Sequence, residues 1–239
     1  MIAMKKLRVD VWSDIACPWC YVGKRRLEAA LARFPRRDAV EVVWRAFELD
    51  PSAKRVLDTD VSYAGRLARK YGVPVAKAEA MIRQMTEVGA ADGLDLRFDK
   101  VRPGNTFDAH RVLHLAAERG VQDAVKERLL RGYMTEGEAI GEPEVLARLA
   151  GEAGLDPDEV RAALASDAHA REVRADEDEA RAIGITGVPF FAFGGRYGVS
   201  GAQPAEALLG VLQKAWDEAA DAPEQALAEG AACGPDGCA

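Results

Sequence analysis

The sequence predicts an α/β protein in which two β-rich stretches enclose a long block of helices. Three observations carry this. A β-like run, Leu7 to Trp12, leads through Cys17-Pro18-Trp19-Cys20 into an amphipathic helix and then into a second β-rich run, Val40 to Phe47. From about Ser52 to Gly184 the apolar residues recur almost throughout at one-face helical spacing. β character returns at Val188 to Phe193 and is followed by one more amphipathic helix.

In the first run Val9 and Val11 point one way and Arg8, Asp10 and Trp12 the other, the alternation of a strand. Leu27, Ala30, Leu31 and Phe34 mark the apolar stripe of the helix after it. A helix between two such strands makes a β-α-β unit, which favours a parallel pair. In the helical block, Ser62 to Tyr71 reads as a short basic helix ended by Gly72. Pro74 to Ala90 carries Ala78, Met81, Ile82, Met85 and Val88 on one face, and Asp92 to Phe98 is a break. Asn105 is predicted to cap a helix to Arg119, with Asp108 at the third position as in a capping box. Val121 to Met134 is the next helix, and Glu142-Pro143 opens another. Asp156-Pro157-Asp158-Glu159 offers a cap, a proline at the first helical position and early acids. A charged helix from about His169 to Ile183 ends at Gly184. Gly194-Gly195 is predicted as a two-residue hairpin turn between Val188–Phe193 and Arg196–Val199. Pro204 to Ala219 is the last helix. The division this implies is a discontinuous domain of residues 1–51 and 185–220, an inserted helical domain of residues 52–184, and a tail of residues 221–239 with a second cysteine pair.

Net charge is −7 over 239 residues, without a long single-sign block. That argues against nucleic acid or an anionic membrane surface as partner. No stretch approaches the roughly 20 apolar residues of a membrane-spanning helix. Met1 to Lys6 has charges but no apolar run after them, and Arg8, Asp10 and Asp14 follow. A secretory leader is not expected, and a cytoplasmic location is. In that compartment four cysteines read as catalytic rather than scaffolding.

Cys17 and Cys20 sit where a strand ends and a helix begins. The free N–H groups and dipole of a helix start stabilise a nearby anion. The Cys17 thiol is therefore predicted to have a lowered pKa and to act as nucleophile. Cys20, one turn further in, is placed to attack a mixed disulfide on Cys17. Pro18 suits a first helical turn, where its missing N–H costs nothing. Half of a zinc site would need a second close pair, and the other pair, Cys233 and Cys238, lies at the far end. A Cys-x-x-Cys beside a strand–helix unit reads as a thioredoxin-like redox pair. No metal is predicted, and no cofactor beyond the redox-active disulfide. The order β-α-β, helices, β-β-α is that of a thioredoxin-like fold with an inserted helical block.

Gly234-Pro235-Asp236-Gly237, between the tail cysteines, is turn chemistry that lets the two sulfurs approach. Three uses stay open for them: a shuttle disulfide for Cys17–Cys20, metal binding, or none. His110 and His114 share a helical face at metal-ligand spacing, but no third ligand is near in sequence, so they read as core or interface histidines. His169, the basic group Arg55, Arg66, Arg69 and Lys70, and the acids Asp176 to Glu179 read as solvated surface.

Five stretches carry a resemblance. Ser13-Asp14-Ile15-Ala16-Cys17-Pro18-Trp19-Cys20-Tyr21-Val22-Gly23 resembles the active-site signature of the FrnE-type branch of DsbA-like oxidoreductases. Phe47-Glu48-Leu49-Asp50-Pro51 resembles its second strand and turn, and Asn105-Thr106-Phe107-Asp108-Ala109-His110-Arg111 its helical-domain motif. Gly187-Val188-Pro189-Phe190-Phe191 and Ser200-Gly201-Ala202-Gln203 resemble its third strand and last helix start. The resemblance runs from about Leu7 to Trp216. It implies a thioredoxin fold with an inserted helical domain and thiol–disulfide exchange on proteins that carry thiols or disulfides. It marks Pro189 as a cis-proline facing the dithiol, with the Val188 backbone offered to a substrate strand. It makes Asn105 and His110 weaker site candidates. It favours the shuttle for Cys233 and Cys238, since some FrnE-type proteins carry such a pair. The similar glutathione-dependent 2-hydroxychromene-2-carboxylate isomerases typically have serine where this chain has Cys17. A dithiol favours redox chemistry, while glutathione or a thioredoxin system stays open as a partner. The rivals are a glutathione-dependent isomerase or transferase and a four-cysteine metal-binding or redox-sensing protein.

Overall fold

The structure is a computed structural model that describes residues 6–56 and 61–221. β1 (Leu7–Ser13) leads into α1 (Pro18–Arg33) and β2 (Val40–Ala46). The helical block follows: α2 (Tyr63–Tyr71), α3 (Val75–Ala91), α4 (Phe107–Glu118), α5 (Gln122–Arg131), α6 (Pro143–Glu152), α7 (Pro157–Leu164) and α8 (Ala170–Ala182). β3 (Phe190–Phe193), β4 (Tyr197–Ser200) and α9 (Ala205–Asp221) close the chain. The four strands form one mixed sheet in the order β2-β1-β3-β4. β1 runs parallel to β2, with Val9 opposite Val42, and antiparallel to β3, with Val11 opposite Phe191.

The alternation in β1 has a clear cause. Leu7, Val9 and Val11 pack with Leu27 and Ala30 of α1, with Phe34 just after it, and with Leu208 and Leu212 of α9. Trp12 faces the other way and is buried beneath α8, beside Ala180 and Ile185. Its indole N–H donates to the Asp176 carbonyl over 2.9 Å. A second core lies among the inserted helices, around Leu113, Leu129, Leu130, Leu146 and Leu149. It also takes in Ile15, Tyr21 and Val22 from the stretch that holds Cys17 and Cys20. That stretch is therefore anchored in the helical-block core, while β1 before it and the later turns of α1 pack in the sheet core.

Four expectations are corrected. Asn105 is not the helix cap. The cap position is Thr106, and Asn105 Oδ1 instead accepts from the Phe107 N–H over 2.8 Å while its amide donates to Glu48. The β3–β4 turn has three residues, Gly194 to Arg196, because Phe193 pairs with Tyr197. Both glycines take left-handed φ, 59° and 65°. The helix after Val121 changes character at Gly132, and Gly132–Glu136 is a π-helical turn. A Cβ on Gly132 would stand 2.9 Å from Leu149 Cδ1.

The fourth correction concerns the polar residues read as surface. Asp176 and Glu177 are buried. Asp176 accepts from the Ala46 N–H over 2.8 Å and from Arg45 over 2.7 Å, and lies 3.0 Å from His114. The acids of α8 thus tie that helix to the end of β2. His169 is largely covered, at a left-handed φ of 60°. Arg55 pairs with Asp108 over 2.7 Å but stays exposed, as expected. Hydropathy along one helix misses these because the partners come from distant segments.

Candidate active site

Cys17 is the residue before α1, in an extended conformation, and Pro18 takes the first helical position. The Cys20 N–H donates to the Cys17 carbonyl over 3.0 Å, the turn that holds the two cysteines together. Both are free thiols. The Val188–Pro189 bond is cis, as the motif implied. The Cys17 sulfur lies 3.6 Å from the Val188 carbonyl oxygen. Gly23, one turn beyond Cys20, lets α1 approach this loop: a Cβ there would lie 2.9 Å from Pro189 Cγ and 3.2 Å from Phe191 Cζ. Cys17, Pro18, Cys20, Val188 and Pro189 are thus gathered at one place. Trp19 flanks them and is 43 % exposed.

The two sulfurs differ in access. Cys17 retains 5 % exposure and Cys20 none. Cys17 lines a cavity of about 290 Å³ whose wall includes Trp19, Leu49, Tyr63, Ile82 and Phe98, with Arg66 and Lys70 among its polar lining. Arg66 lies over the Tyr63 ring, 5.4 Å from its centre, so it is a wall of this cavity rather than part of a solvated face. Burial pushes the Tyr63 hydroxyl up to about 12, with the neighbouring Cys17 as second cause, so it stays protonated.

The electrostatics correct one expectation. Cys17, not Cys20, was expected to have the lowered pKa. In the reduced pair one proton lies between the sulfurs, and the two thiols titrate as a unit. Cys17 is raised because it donates to Cys20, because it is buried and because Asp14 is near. Burial raises Cys20 too, but the Cys17 S–H, the Lys126 ammonium and Ser13 outweigh it and leave Cys20 lowered. The helix start is where the sequence places it; the cation lies on the Cys20 side.

Behind the dithiol stands a buried polar cluster. Asp14 accepts from the Leu49 N–H over 2.8 Å and from the Ala16 N–H over 3.3 Å. His110 Nε2 is 3.4 Å from Asp14 Oδ1, and both side chains are 1 % exposed. Burial pushes the Asp14 carboxyl up, but His110, Leu49 and Thr106 together leave it below its usual value. Asn105 donates to Glu48 over 3.1 Å, and Glu48 also pairs with Arg174 over 2.7 Å. Burial raises Glu48 above the usual carboxylate range. His110 and Asn105 therefore support the loop from behind and are not brought to the sulfurs. Among the described residues no group of His, Cys, Asp and Glu has the arrangement of a metal site. Cys233 and Cys238 lie outside the described residues.

Residues 8–213 match the model of the DSBA-like thioredoxin domain family. The chain belongs to that family. It is 49 % identical to a solved Streptomyces coelicolor protein described as a probable DsbA oxidoreductase, with a TM-score of 0.85 and 98 % of each chain covered. It is 30 % identical over 193 residues to the uncharacterized protein YwbO of Bacillus subtilis, covering 79 % of this chain and 87 % of that one. Two solved structures share the fold at low identity. The cytosolic disulfide reductase DsbM of Pseudomonas aeruginosa is 16 % identical with a TM-score of 0.55, covering 90 % of this chain and 97 % of that one. A 2-hydroxychromene-2-carboxylate isomerase is 15 % identical with a TM-score of 0.60, covering 90 % and 98 %. The fold is the thioredoxin fold with a helical insertion, and the enzyme class is thiol–disulfide oxidoreductase. No helix among the described residues is long and apolar enough to cross a membrane.

Within this DSBA-like chain, sequence reasoning missed Lys126 and Tyr63. Lys126 had a readable signal. It sits on the stripe of Val125, Leu129 and Leu130, where a lysine has no reason to be unless something buried wants its charge. Tyr63 had none, since only the packing of α2 against Phe98 brings it to the cavity.

Proposed function

We propose that Cys17 attacks a substrate disulfide, or receives the attack of a substrate thiol, and that Cys20 resolves the mixed disulfide. The reading rests on one observation: the Cys17 sulfur opens on the cavity beside the Val188 carbonyl, whereas Cys20 has no exposure. In the reductive direction the Cys17 thiolate forms a bond to one substrate sulfur and the other leaves as a thiolate. Cys20 then bonds to Cys17, the second substrate thiolate leaves, and the dithiol's two electrons pass to the substrate. Oxidation runs the same bonds backwards. Pro18 and Trp19 shape the loop, and the backbone of Val188 and Pro189 lies alongside the substrate strand. Substrates are proteins with thiols or disulfides, met in the cytoplasm, and glutathione or a thioredoxin system renews the pair. The dithiol is itself the redox group, in a protein of the FrnE type.

The test is insulin reduction and reactivation of scrambled ribonuclease with Cys17→Ser and Cys20→Ser. Loss of both activities in Cys17→Ser, with a trapped substrate adduct on Cys17 in Cys20→Ser, is expected. Retained turnover in Cys17→Ser, or an adduct on Cys20 in the parent, overturns the assignment.

The tail adds a second step to this reading. Cys233 and Cys238 exchange with Cys17–Cys20 in the same molecule and act as the outer pair. A Cys17–Cys233 link in monomeric Cys20→Ser, Cys238→Ser protein, mapped by mass spectrometry, is the expected result. Turnover unchanged by deleting residues beyond Ala222, with no such link, removes the step.

One observation favours a second reading. The cavity beside Cys17 has an apolar wall with two cationic groups, Arg66 and Lys70, which suits a glutathione-dependent isomerase or transferase acting on an apolar carboxylate. A strict glutathione requirement without any disulfide reduction would select it.

A further inference from the structure

Lys126 is the most unusual ionisable group in the described residues. It lies on α5 of the inserted block, yet its side chain is fully buried, reaching across to the end of β1 just ahead of the dithiol loop. Its ammonium donates to the Ser13 carbonyl at the end of β1 over 3.3 Å. It stands over the Trp44 ring, 5.4 Å from the ring centre, and Lys24 stands 5.8 Å from that same centre. The two lysines are treated differently. Lys24 is within 4.0 Å of Glu28, Asp123 and Glu127. Lys126 has no carboxylate that close among the described residues, although Asp123 and Glu127 stand on its own helix. A buried ammonium without a counter-charge is costly and tends to lose its proton.

The anions that act on it are, in order, Cys20, Asp14 and Cys17, and Lys24 opposes them. Burial comes first and brings Lys126 down to about 8. Asp14 is engaged by His110 and the Leu49 N–H. The remaining anion is the sulfur of Cys20, which exists only while the pair is reduced. Ser13 Oγ, buried and with no oxygen or nitrogen partner, lies against that sulfur and completes the polar surroundings.

We propose that Lys126 is the proton partner of Cys20, charged while Cys20 is a thiolate and neutral once Cys20 enters the disulfide. The proposal rests on the exchange reading and adds the fate of a proton to it. As Cys17 attacks, the proton shared by the two sulfurs stays on Cys20 and the Lys126 proton passes to the first substrate thiolate, so in the mixed disulfide Cys20 is a thiol and Lys126 an amine. The Cys20 proton passes to Lys126, the Cys20 sulfur attacks Cys17, and the Cys17–substrate bond breaks. The substrate leaves as a thiolate. Lys126 has then lost its anion, and its proton leaves for that thiolate or for water. The two electrons stay with the substrate and the proton count balances. Run backwards, Lys126 takes up a proton as Cys20 is released.

Two measurements test this on the full chain. The first is ¹⁵N-detected titration of the lysine side chains in the oxidised and reduced protein. An opposite charge at close range moves a pKa by roughly 1–3 units. The Lys126 midpoint should therefore fall by about one unit or more on oxidation, with Lys24 little changed. Equal midpoints in the two states overturn the proposal, and no variant has to fold for that answer. The second follows the mixed disulfide with a disulfide peptide in Lys126→Met. Its decay should slow by roughly 10²-fold at neutral pH, the scale of a lost acid–base group. The gap should close as pH rises above the thiol range, while the first attack by Cys17 changes only a few-fold. Decay at the parental rate across pH overturns the proposal and leaves the exchange reading standing. No mixed disulfide on Cys17 at all overturns both.

Discussion

The two sides of the dithiol are built on opposite plans. The Cys17 side is apolar and open. It consists of the cavity wall, the Val188 carbonyl and the Pro189 ring against Gly23. The Cys20 side is closed and charged, with Lys126, Ser13 and, one layer back, Asp14 and His110. The difference teaches a division of labour. The open side meets the substrate and sets the Cys17 loop and the Val188–Pro189 turn of the thioredoxin-like part against a wall that comes mostly from the inserted helices, Tyr63, Arg66, Ile82 and Phe98 among them. The closed side draws on both parts, Ser13 and Asp14 at the end of β1 and His110 and Lys126 from the inserted helices, and all four are buried.

The comparison breaks most severely at Asp14. Replacing it with alanine strands the Leu49 N–H and leaves His110 without its carboxylate. Removing one partner of a buried pair costs about 3–5 kcal/mol, and a drop of that size in denaturant unfolding is expected. Because the Asp14 pKa is depressed, its contribution is full above the unfolded value of 3.8 and fades as pH falls through the lower folded value. The parent should lose this stability only on strong acidification, and the variant should not show that loss. If the unfolding free energies of the two proteins run parallel below pH 4, Asp14 is not the group responsible. Asp14→Asn keeps the shape and removes the charge that raises Cys17. Iodoacetamide should then half-react with Cys17 at lower pH than in the parent.

Gly23→Ala probes the open side. The added methyl meets the Pro189 ring and Phe191, and overpacking of this kind costs about 1–3 kcal/mol. Unlike Asp14→Ala, it should disturb exchange at all pH values alike. A variant as stable and as active as the parent would show that α1 and the Pro189 loop separate easily.

The smallest effect belongs to the cavity rim. Tyr71 is 55 % exposed there and Lys70 is exposed beside it. Tyr71→Ala should raise KM for a protein substrate a few-fold, leave kcat and stability nearly unchanged, and leave a small-molecule disulfide unaffected. An equal loss with both substrates would place Tyr71 in the chemistry rather than in substrate contact.

The open side was largely legible in the sequence, because its parts are local motifs. Cys17-Pro18-Trp19-Cys20, Gly23 and Val188-Pro189 each announce themselves over a few residues. The fold was legible for the same reason: β1, α1 and β2 show their periodicities over short spans. The closed side was not. Asp176 and Glu177 look like solvated charge in a charged helix until Arg45, Ala46 and His114 arrive from elsewhere. Asn105 looks like a cap until Glu48 claims its amide. Such pairings are long-range, and periodicity along one segment carries no trace of them.

The distance along the chain between the two sides has a consequence during synthesis. Cys17 and Cys20 emerge first, yet the Val188 carbonyl follows Cys17 by 171 residues, and Lys126 follows Ser13 by 113. At roughly 5–20 residues per second, the cysteines wait on the order of ten seconds or longer for the rest of their site. During that interval they are an ordinary pair on an unfinished chain. The dithiol becomes a tuned centre only when the Val188–Pro189 turn docks with β3, so a product truncated before it carries the motif without its full surroundings.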